Sequence, residues 1–125
     1  MAHKILVVED EKINISLLRF ALREQEYDVA VASNGEEGLE KVKDAKPDLI
    51  ILDIVMPGMD GYEFMEELHK IQGGRDIPVI VVTGNETMED VFHLEGVKGY
   101  FIKPVSLTDL VVKIKECLGR NPGSH

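Results

Sequence analysis

The sequence contains one cysteine, Cys117, and no tryptophan among its 125 residues. A single cysteine excludes an internal disulfide and is typical of proteins in a reducing compartment. No apolar run approaches the roughly 20 residues that a membrane-spanning helix needs. The first residues also lack the basic and apolar segments of a signal peptide. We therefore expect a cytoplasmic protein with no membrane partner.

Positive charge is also scarce, because 14 basic residues stand against 23 acidic ones and give a formal net charge of −9. A chain this acidic offers no basic groove for a phosphate polymer, so we expect no nucleic-acid partner. The hydrophobic residues, 44% of the total, are enough for a core and argue against disorder. The length suits one domain. We assign it to residues 1–119 and interpret 120–125 as a flexible C-terminal tail.

Apolar runs and helical patterns alternate five times along the chain. Continuous apolar runs rich in β-branched residues are typical of strands covered on both faces, whereas apolar spacings of three and four predict helices. The predicted strands cover residues 5–8, 29–31, 49–52, 79–82 and 100–102. The predicted helices cover residues 13–25, follow the turn at 33–35, follow the cap Asp60, lie around 88–92, and follow the cap Ser106.

This alternation implies parallel strands joined by right-handed crossovers, with helices on both faces of the sheet. The sequence therefore predicts an α/β, flavodoxin-like (βα)5 fold, a doubly wound parallel five-stranded sheet with strand order 2-1-3-4-5. In the first helix we expect one broad apolar stripe toward the core. Its members are Ile13, Leu17, Phe20, Ala21 and Leu22.

Polar residues follow four of the five predicted strands at the point where each ends. Glu9 and Asp10 follow the first strand, Asp53 the third, Thr83 the fourth and Lys103 the fifth. The carboxyl ends of parallel strands form one rim, where ligands bind in open α/β sheets. The sequence therefore predicts that three carboxylates, a hydroxyl and an ammonium group share one cleft.

The chemistry of this predicted cleft indicates phosphoryl transfer. Carboxylate oxygens without clustered cysteine or histidine suit a hard cation such as Mg²⁺. A divalent cation beside Asp53, with Lys103 and Thr83 nearby, could neutralise a phosphoryl group while Asp53 attacks in line. Taken singly, each residue has a simpler interpretation as a turn former, helix cap or solvated charge. Their joint position favours Asp53 as the site of an aspartyl phosphate.

Four segments, KILVVEDE, DLIILDIVMPGMDG, Thr83-Gly84 and YFIKP, resemble in this order a response-regulator receiver domain over residues 4 to about 118. The resemblance implies that Asp53 is the phospho-acceptor. It also implies that Glu9 and Asp10 form an acidic metal-site pair for Mg²⁺, and that Val55 contributes its backbone carbonyl.

The same resemblance implies roles for the later residues. Thr83 and Tyr100 match the switch hydroxyl and the switch aromatic residue, and Lys103 matches the phosphate-binding lysine. The bond before Pro104 is expected to be cis, although only about 5–6% of bonds preceding proline are cis in folded proteins.

By this resemblance the protein is a phosphorylation-activated switch of a two-component phosphorelay. It would accept its phosphoryl group from a histidine kinase or a histidine phosphotransfer protein. It would bind a downstream protein through the predicted fourth helix, fifth strand and fifth helix. It would catalyse only its own phosphorylation and dephosphorylation. With no output domain in 125 residues, we expect either a stand-alone receiver or a fragment of a longer chain.

Three alternatives remain open at the sequence level. The first is a receiver-like protein-interaction module that works without phosphorylation. The second is a phosphatase with an aspartyl nucleophile, but such enzymes place a second aspartate where this sequence has Val55. The third is a flavin- or nucleotide-binding protein, but Glu9, Asp10 and Glu11 would repel phosphate at the loop after the first strand.

Overall fold

The computed structural model describes residues 2–53, 58–84 and 94–119. Within this part of the chain, five strands form one parallel sheet in the order β2-β1-β3-β4-β5. The strands are β1 (Lys4–Val8), β2 (Asp28–Ala32), β3 (Leu49–Leu52), β4 (Val79–Thr83) and β5 (Val97–Ile102). The predicted fold class and strand order are therefore confirmed.

Four helices and one 3₁₀ turn connect or follow these strands in the described residues. They are α1 (Lys12–Glu24), α2 (Gly35–Ala45), α3 (Gly61–Lys70), the 3₁₀ turn Gly74–Asp76, and α4 (Leu107–Leu118). The helix predicted around 88–92 and the tail predicted at 120–125 lie outside the described residues. The domain boundary at residue 119 stays a prediction.

Side-chain caps determine where three of these helices begin. Asn34, Asp60 and Ser106 each accept a hydrogen bond from the backbone N–H three residues later, at 2.8, 2.9 and 3.2 Å. Such a bond satisfies one of the N–H groups that the first helical turn leaves without a partner. The predicted caps Asp60 and Ser106 are thus confirmed, as is the turn before α2.

The sheet separates two buried apolar clusters, because successive residues of a strand face opposite sides. Helices α2 and α3 cover one side, where Val42, Phe64 and Leu68 pack against the sheet. Helices α1 and α4 cover the other, with Leu18, Leu22, Leu110 and Ile114. The central strands are consequently buried on both faces, and polar side chains have room only beyond their ends.

The predicted apolar stripe of α1 is wrong in part. Ile13, Leu17 and Phe20 are 75%, 51% and 67% exposed, whereas Leu18 and Leu22 are buried. At 3.6 residues per turn, the exposed trio lies about 150° around the helix axis from the buried pair. The helix therefore has two apolar faces, and the sheet covers only one of them.

Strand β5 begins three residues before the predicted start. Val97 is buried and pairs with Val79, and Gly99 pairs with Ile80 across a register irregularity. Glycine is disfavoured in strands, so the sequence pattern became recognisable only at Tyr100. A Cβ at position 99 would lie 3.1 Å from Cγ of Lys113, so glycine lets α4 approach the strand closely.

Candidate metal and phosphoryl-acceptor site

The sheet brings the predicted site residues together at the carboxyl ends of its strands. Glu9, Asp53 and Thr83 are 2%, 4% and 0% exposed. Backbone hydrogen bonds extend the sheet past the strand ends: the N–H of Asp53 donates to the carbonyl of Val8 (3.0 Å), and that of Lys103 to the carbonyl of Thr83 (2.8 Å). The backbone at Asp53 and Lys103 is therefore hydrogen-bonded to the neighbouring strands, as in the sheet itself.

Lys103 is the positive centre of this cluster. Its Nζ lies 2.9 Å from Oε1 of Glu9, 2.9 Å from Oδ2 of Asp53 and 3.4 Å from Oε1 of Glu11. The Lys103 side chain is 18% exposed and those of Glu9 and Asp53 are 3% and 5% exposed, so these two pairs are screened less than surface ion pairs, whereas the Glu11 side chain is 64% exposed. The Lys103–Pro104 peptide bond is cis, the isomer that the sequence resemblance implies.

Glu9 is anchored on both sides of its carboxylate. Oε1 pairs with Lys103, while Oε2 accepts the backbone N–H groups of Asp10 and Glu11, each at 3.1 Å. Burial raises the pKa of Glu9, although the hydrogen bonds from Lys103 and Glu11 oppose this effect. Its orientation therefore depends on the two N–H groups and on the neighbouring ammonium.

The pKa of Lys103 reflects the balance of two opposing effects. Burial by itself would lower it, but hydrogen bonds to the carboxylates of Glu9 and Asp53 outweigh burial and raise it above its ordinary value. The ammonium is therefore charged at every physiological pH. It balances part of the negative charge that the cluster collects.

The three carboxylates fit a hard divalent cation. Glu9, Asp10 and Asp53 each offer one oxygen, and these oxygens lie within 4.8 Å of one another. Glu9 and Asp53 are buried while Asp10 is exposed, so the cluster is open to solvent on one side. Mg²⁺ prefers oxygen ligands and keeps several waters, which such a half-open set allows. Val55, the predicted carbonyl ligand, lies outside the described residues.

Thr83 and Tyr100, the predicted switch pair, belong to the same side of the sheet. Tyr100 is half-buried, pairs with Val81 in the ladder, and packs with it against the cluster under α2 and α3. Thr83 lies two residues beyond Val81, so the strand period of two directs it to that side as well. The roles of this hydroxyl and this ring stay predictions.

The contact between Glu11 and Lys103 was not predicted from the sequence. Glu11 belongs to the KILVVEDE segment, but its side chain was given no role beside the metal-site pair. The sequence does contain an indication of a role for Glu11, because it is the third of three consecutive acidic residues. Its pairing with Lys103, 92 positions away along the chain, became visible only in the fold.

A parallel five-stranded α/β sheet that gathers three carboxylates and a lysine at its carboxyl edge is the arrangement expected of a receiver domain. The family model described as the response regulator receiver domain matches residues 5–115. The chain belongs to this family. Within the described residues, no helix is long and apolar enough to cross a membrane.

Individual relatives agree with this assignment. The alkaline phosphatase synthesis transcriptional regulatory protein PhoP of Bacillus subtilis is 39% identical over 123 residues, covering 97% of this chain and 50% of the relative. The chain thus spans about half the length of this curated relative. A CheY-like receiver domain protein from Methanospirillum hungatei is 33% identical, with a TM-score of 0.85 and 94% of each chain covered.

A third relative bears on the metal. The receiver domain of a sensor histidine kinase from Pseudomonas aeruginosa, solved with a magnesium ion coordinated in its active-site cleft, is 26% identical to this chain. Its TM-score is 0.85, with 95% of this chain and 99% of that one covered. Receiver domains bind Mg²⁺ at an acidic pocket and interact with histidine kinases and downstream targets. They are generally signalling switches rather than turnover enzymes.

Proposed function

We propose that this chain is a phosphorylation-activated switch that accepts a phosphoryl group on Asp53, with Mg²⁺, from a histidine kinase or a histidine phosphotransfer protein. The contact between Lys103 and Asp53 is the observation that supports it most strongly. The ammonium lies 2.9 Å from Oδ2 of a carboxylate that is 4% exposed. A cation in contact with the acceptor oxygen is what the developing negative charge of phosphoryl transfer requires.

Each side chain has one task in the proposed reaction. A carboxylate oxygen of Asp53 forms the new bond to phosphorus, while the bond from phosphorus to the donor imidazole nitrogen breaks and that nitrogen keeps the electron pair. Lys103 binds the phosphoryl oxygens. Glu9, Asp10 and Asp53, with the backbone carbonyl of Val55, would hold Mg²⁺. When bound, the ion would supply further positive charge beside the phosphoryl group.

The proposed switch follows from the charge that phosphorylation adds. A phosphoryl group brings nearly two negative charges and three acceptor oxygens to the buried rim. The Thr83 hydroxyl is drawn toward these oxygens, and Tyr100, on the same side of the sheet, turns inward. The surface formed by the predicted fourth helix, β5 and α4 then binds its downstream protein differently. This is a shift between two conformations of one fold.

A surface feature next to the site supports a protein as the phosphoryl donor. Ile13, Leu17 and Phe20 form an exposed apolar patch on α1. Leu17 also lines a cavity of about 120 Å³ together with Glu9 and Lys103, so the patch adjoins the site. A contiguous exposed apolar patch is one of the features that mark protein-contact surfaces. The net charge of −9 likewise favours a protein partner over nucleic acid.

Intact mass spectrometry tests the proposal. The wild type, Asp53→Asn and the control Asp76→Asn, an exposed aspartate of the 3₁₀ turn, are incubated with acetyl phosphate and Mg²⁺. We expect one phosphoryl adduct on the wild type and the control, and none on Asp53→Asn or without Mg²⁺. A wild type that forms neither the adduct nor a beryllofluoride complex would instead be an interaction module that works without phosphorylation.

A further inference from the structure

Glu11 contacts Lys103 but does not belong to the carboxylate cluster that fits the cation. Its Oε1 lies 3.4 Å from Nζ of Lys103, and the same oxygen accepts a hydrogen bond from Nδ2 of Asn14 at 3.1 Å. The cluster itself consists of Glu9, Asp10 and Asp53. Asn14 therefore holds the Glu11 carboxylate toward the lysine rather than toward the metal-site oxygens.

Glu11 is connected to the site in a second way, through its backbone. Its N–H donates to Oε2 of Glu9 at 3.1 Å, while Oε1 of Glu9 pairs with Lys103. One residue at the start of α1 thus contacts both members of the buried Glu9–Lys103 pair. A change to the Glu11 side chain leaves the backbone bond in place, so the two contacts can be tested separately.

Lys103 and a divalent cation compete for the same carboxylates. The lysine is paired with Glu9 and Asp53, and these two residues supply two of the three oxygens in the cluster. Both competitors are positive, so each weakens the binding of the other at short range. Of the carboxylates that pair with Lys103 in the described residues, Glu11 alone lies outside the cluster.

We propose that Glu11 is a positioning residue: it holds the Lys103 ammonium at the rim and so reduces the competition of the lysine with Mg²⁺ for Glu9 and Asp53. This inference rests on the proposed function only through its metal site.

Titration of the wild type with Mg²⁺, followed by amide chemical shifts in NMR spectra, measures the effect without any phosphorylation. We expect Glu11→Gln to weaken Mg²⁺ binding by about two- to fivefold, the equivalent of one exposed ion pair. Asn14→Ala keeps every charge but releases Glu11, and should weaken binding in the same direction by a smaller factor. Glu24→Gln, which removes the same charge from the far end of α1, should leave the affinity unchanged.

The Lys103→Met background separates positioning from simple charge. If Glu11 acts through Lys103, adding Glu11→Gln to Lys103→Met changes the Mg²⁺ affinity no more than Glu24→Gln does. The inference is overturned if Glu11→Gln weakens Mg²⁺ binding equally with and without Lys103. It is also overturned if Glu11→Gln or Asn14→Ala leaves the Mg²⁺ affinity unchanged. Either result leaves the proposed function intact. A wild type that binds no Mg²⁺ instead contradicts the metal site of the proposed function itself.

Discussion

Replacing Lys103 by methionine keeps the length of the side chain but removes the ammonium from the carboxylate cluster. In the wild type this group pairs at 2.9 Å with both Glu9 and Asp53, whose side chains are 3% and 5% exposed. Without it, two buried carboxylates face each other in the absence of metal. We therefore expect the metal-free Lys103→Met variant to be much less stable than the wild type.

The size of the loss follows from the burial of the pairs. Removing one partner of a buried ion pair costs about 3–5 kcal/mol, because the remaining charge is left without compensation. We expect the lower end, about 3 kcal/mol, since Lys103 is 18% exposed and solvent reaches the cluster at Asp10. In a domain of this size each kcal/mol lowers the unfolding temperature by about 4 °C, so the expected decrease is about 12 °C.

The loss of folding stability in Lys103→Met should depend on pH in a definite direction. The pKa of Glu9 is already raised by burial, and the hydrogen bond from Lys103 opposes that rise. Without the lysine the folded-state pKa moves further above the unfolded value of about 4.3. A carboxyl group with a raised folded-state pKa destabilises the fold as pH rises through that pKa. The difference in folding stability between the wild type and Lys103→Met is therefore largest near neutral pH, and it shrinks as the pH falls toward about 4.3.

Thermal and urea unfolding, followed by circular dichroism with EDTA or with Mg²⁺, measure this prediction. Lys98→Met removes an exposed lysine from the same strand and is the matched control. The loss should be large in EDTA and smaller with Mg²⁺, because the cation replaces the missing positive charge. Equal stability of Lys103→Met and Lys98→Met in EDTA would show that water already solvates the carboxylates, and would refute the reasoning.

Two further predictions concern packing and are measured by urea unfolding. A Cβ at Gly74 would clash with the backbone carbonyl oxygen of Leu68, so Gly74→Ala should cost about 3 kcal/mol; a loss below 1 kcal/mol would contradict the close approach. On α1, Leu18→Ala should cost about 3 kcal/mol, whereas the exposed Phe20→Gln should change stability by only about 0.5 kcal/mol. Similar losses at both positions would mean that the wrong face was identified as buried.

Local sequence patterns were sufficient to predict most of the fold, because buried parallel strands and helix caps can be recognised from a few neighbouring residues. Continuous apolar runs such as residues 49–52 indicate strands buried on both faces, and the structure buries all four residues of β3. Asp60 and Ser106 mark helix starts because their side chains bond to an N–H three residues later. Right-handed crossovers with helices on both faces then indicated a doubly wound sheet, and 2-1-3-4-5 is the strand order of its flavodoxin-like class.

The composition of the site was predictable for a related reason. In a parallel sheet every strand ends at the same edge, so residues that follow different strands meet without being close in sequence. That rule alone predicted that Glu9, Asp53 and Lys103 would lie together, and they do, at 2.9 Å from lysine to each carboxylate. The sequence thus determined the sheet, its order, and the set of charges at its edge.

Only the tertiary structure decided which surfaces are buried and which charges pair. Helix α1 has two apolar faces of similar strength, and the position of the sheet selected Leu18 and Leu22 over Ile13, Leu17 and Phe20. Three consecutive acidic residues precede this helix, and only the fold shows that Glu9 and Asp10 belong to the carboxylate cluster while Glu11 pairs with Lys103 outside it. Hydrophobicity and charge are properties of single residues, whereas burial and ion pairing depend on what the rest of the chain places beside them.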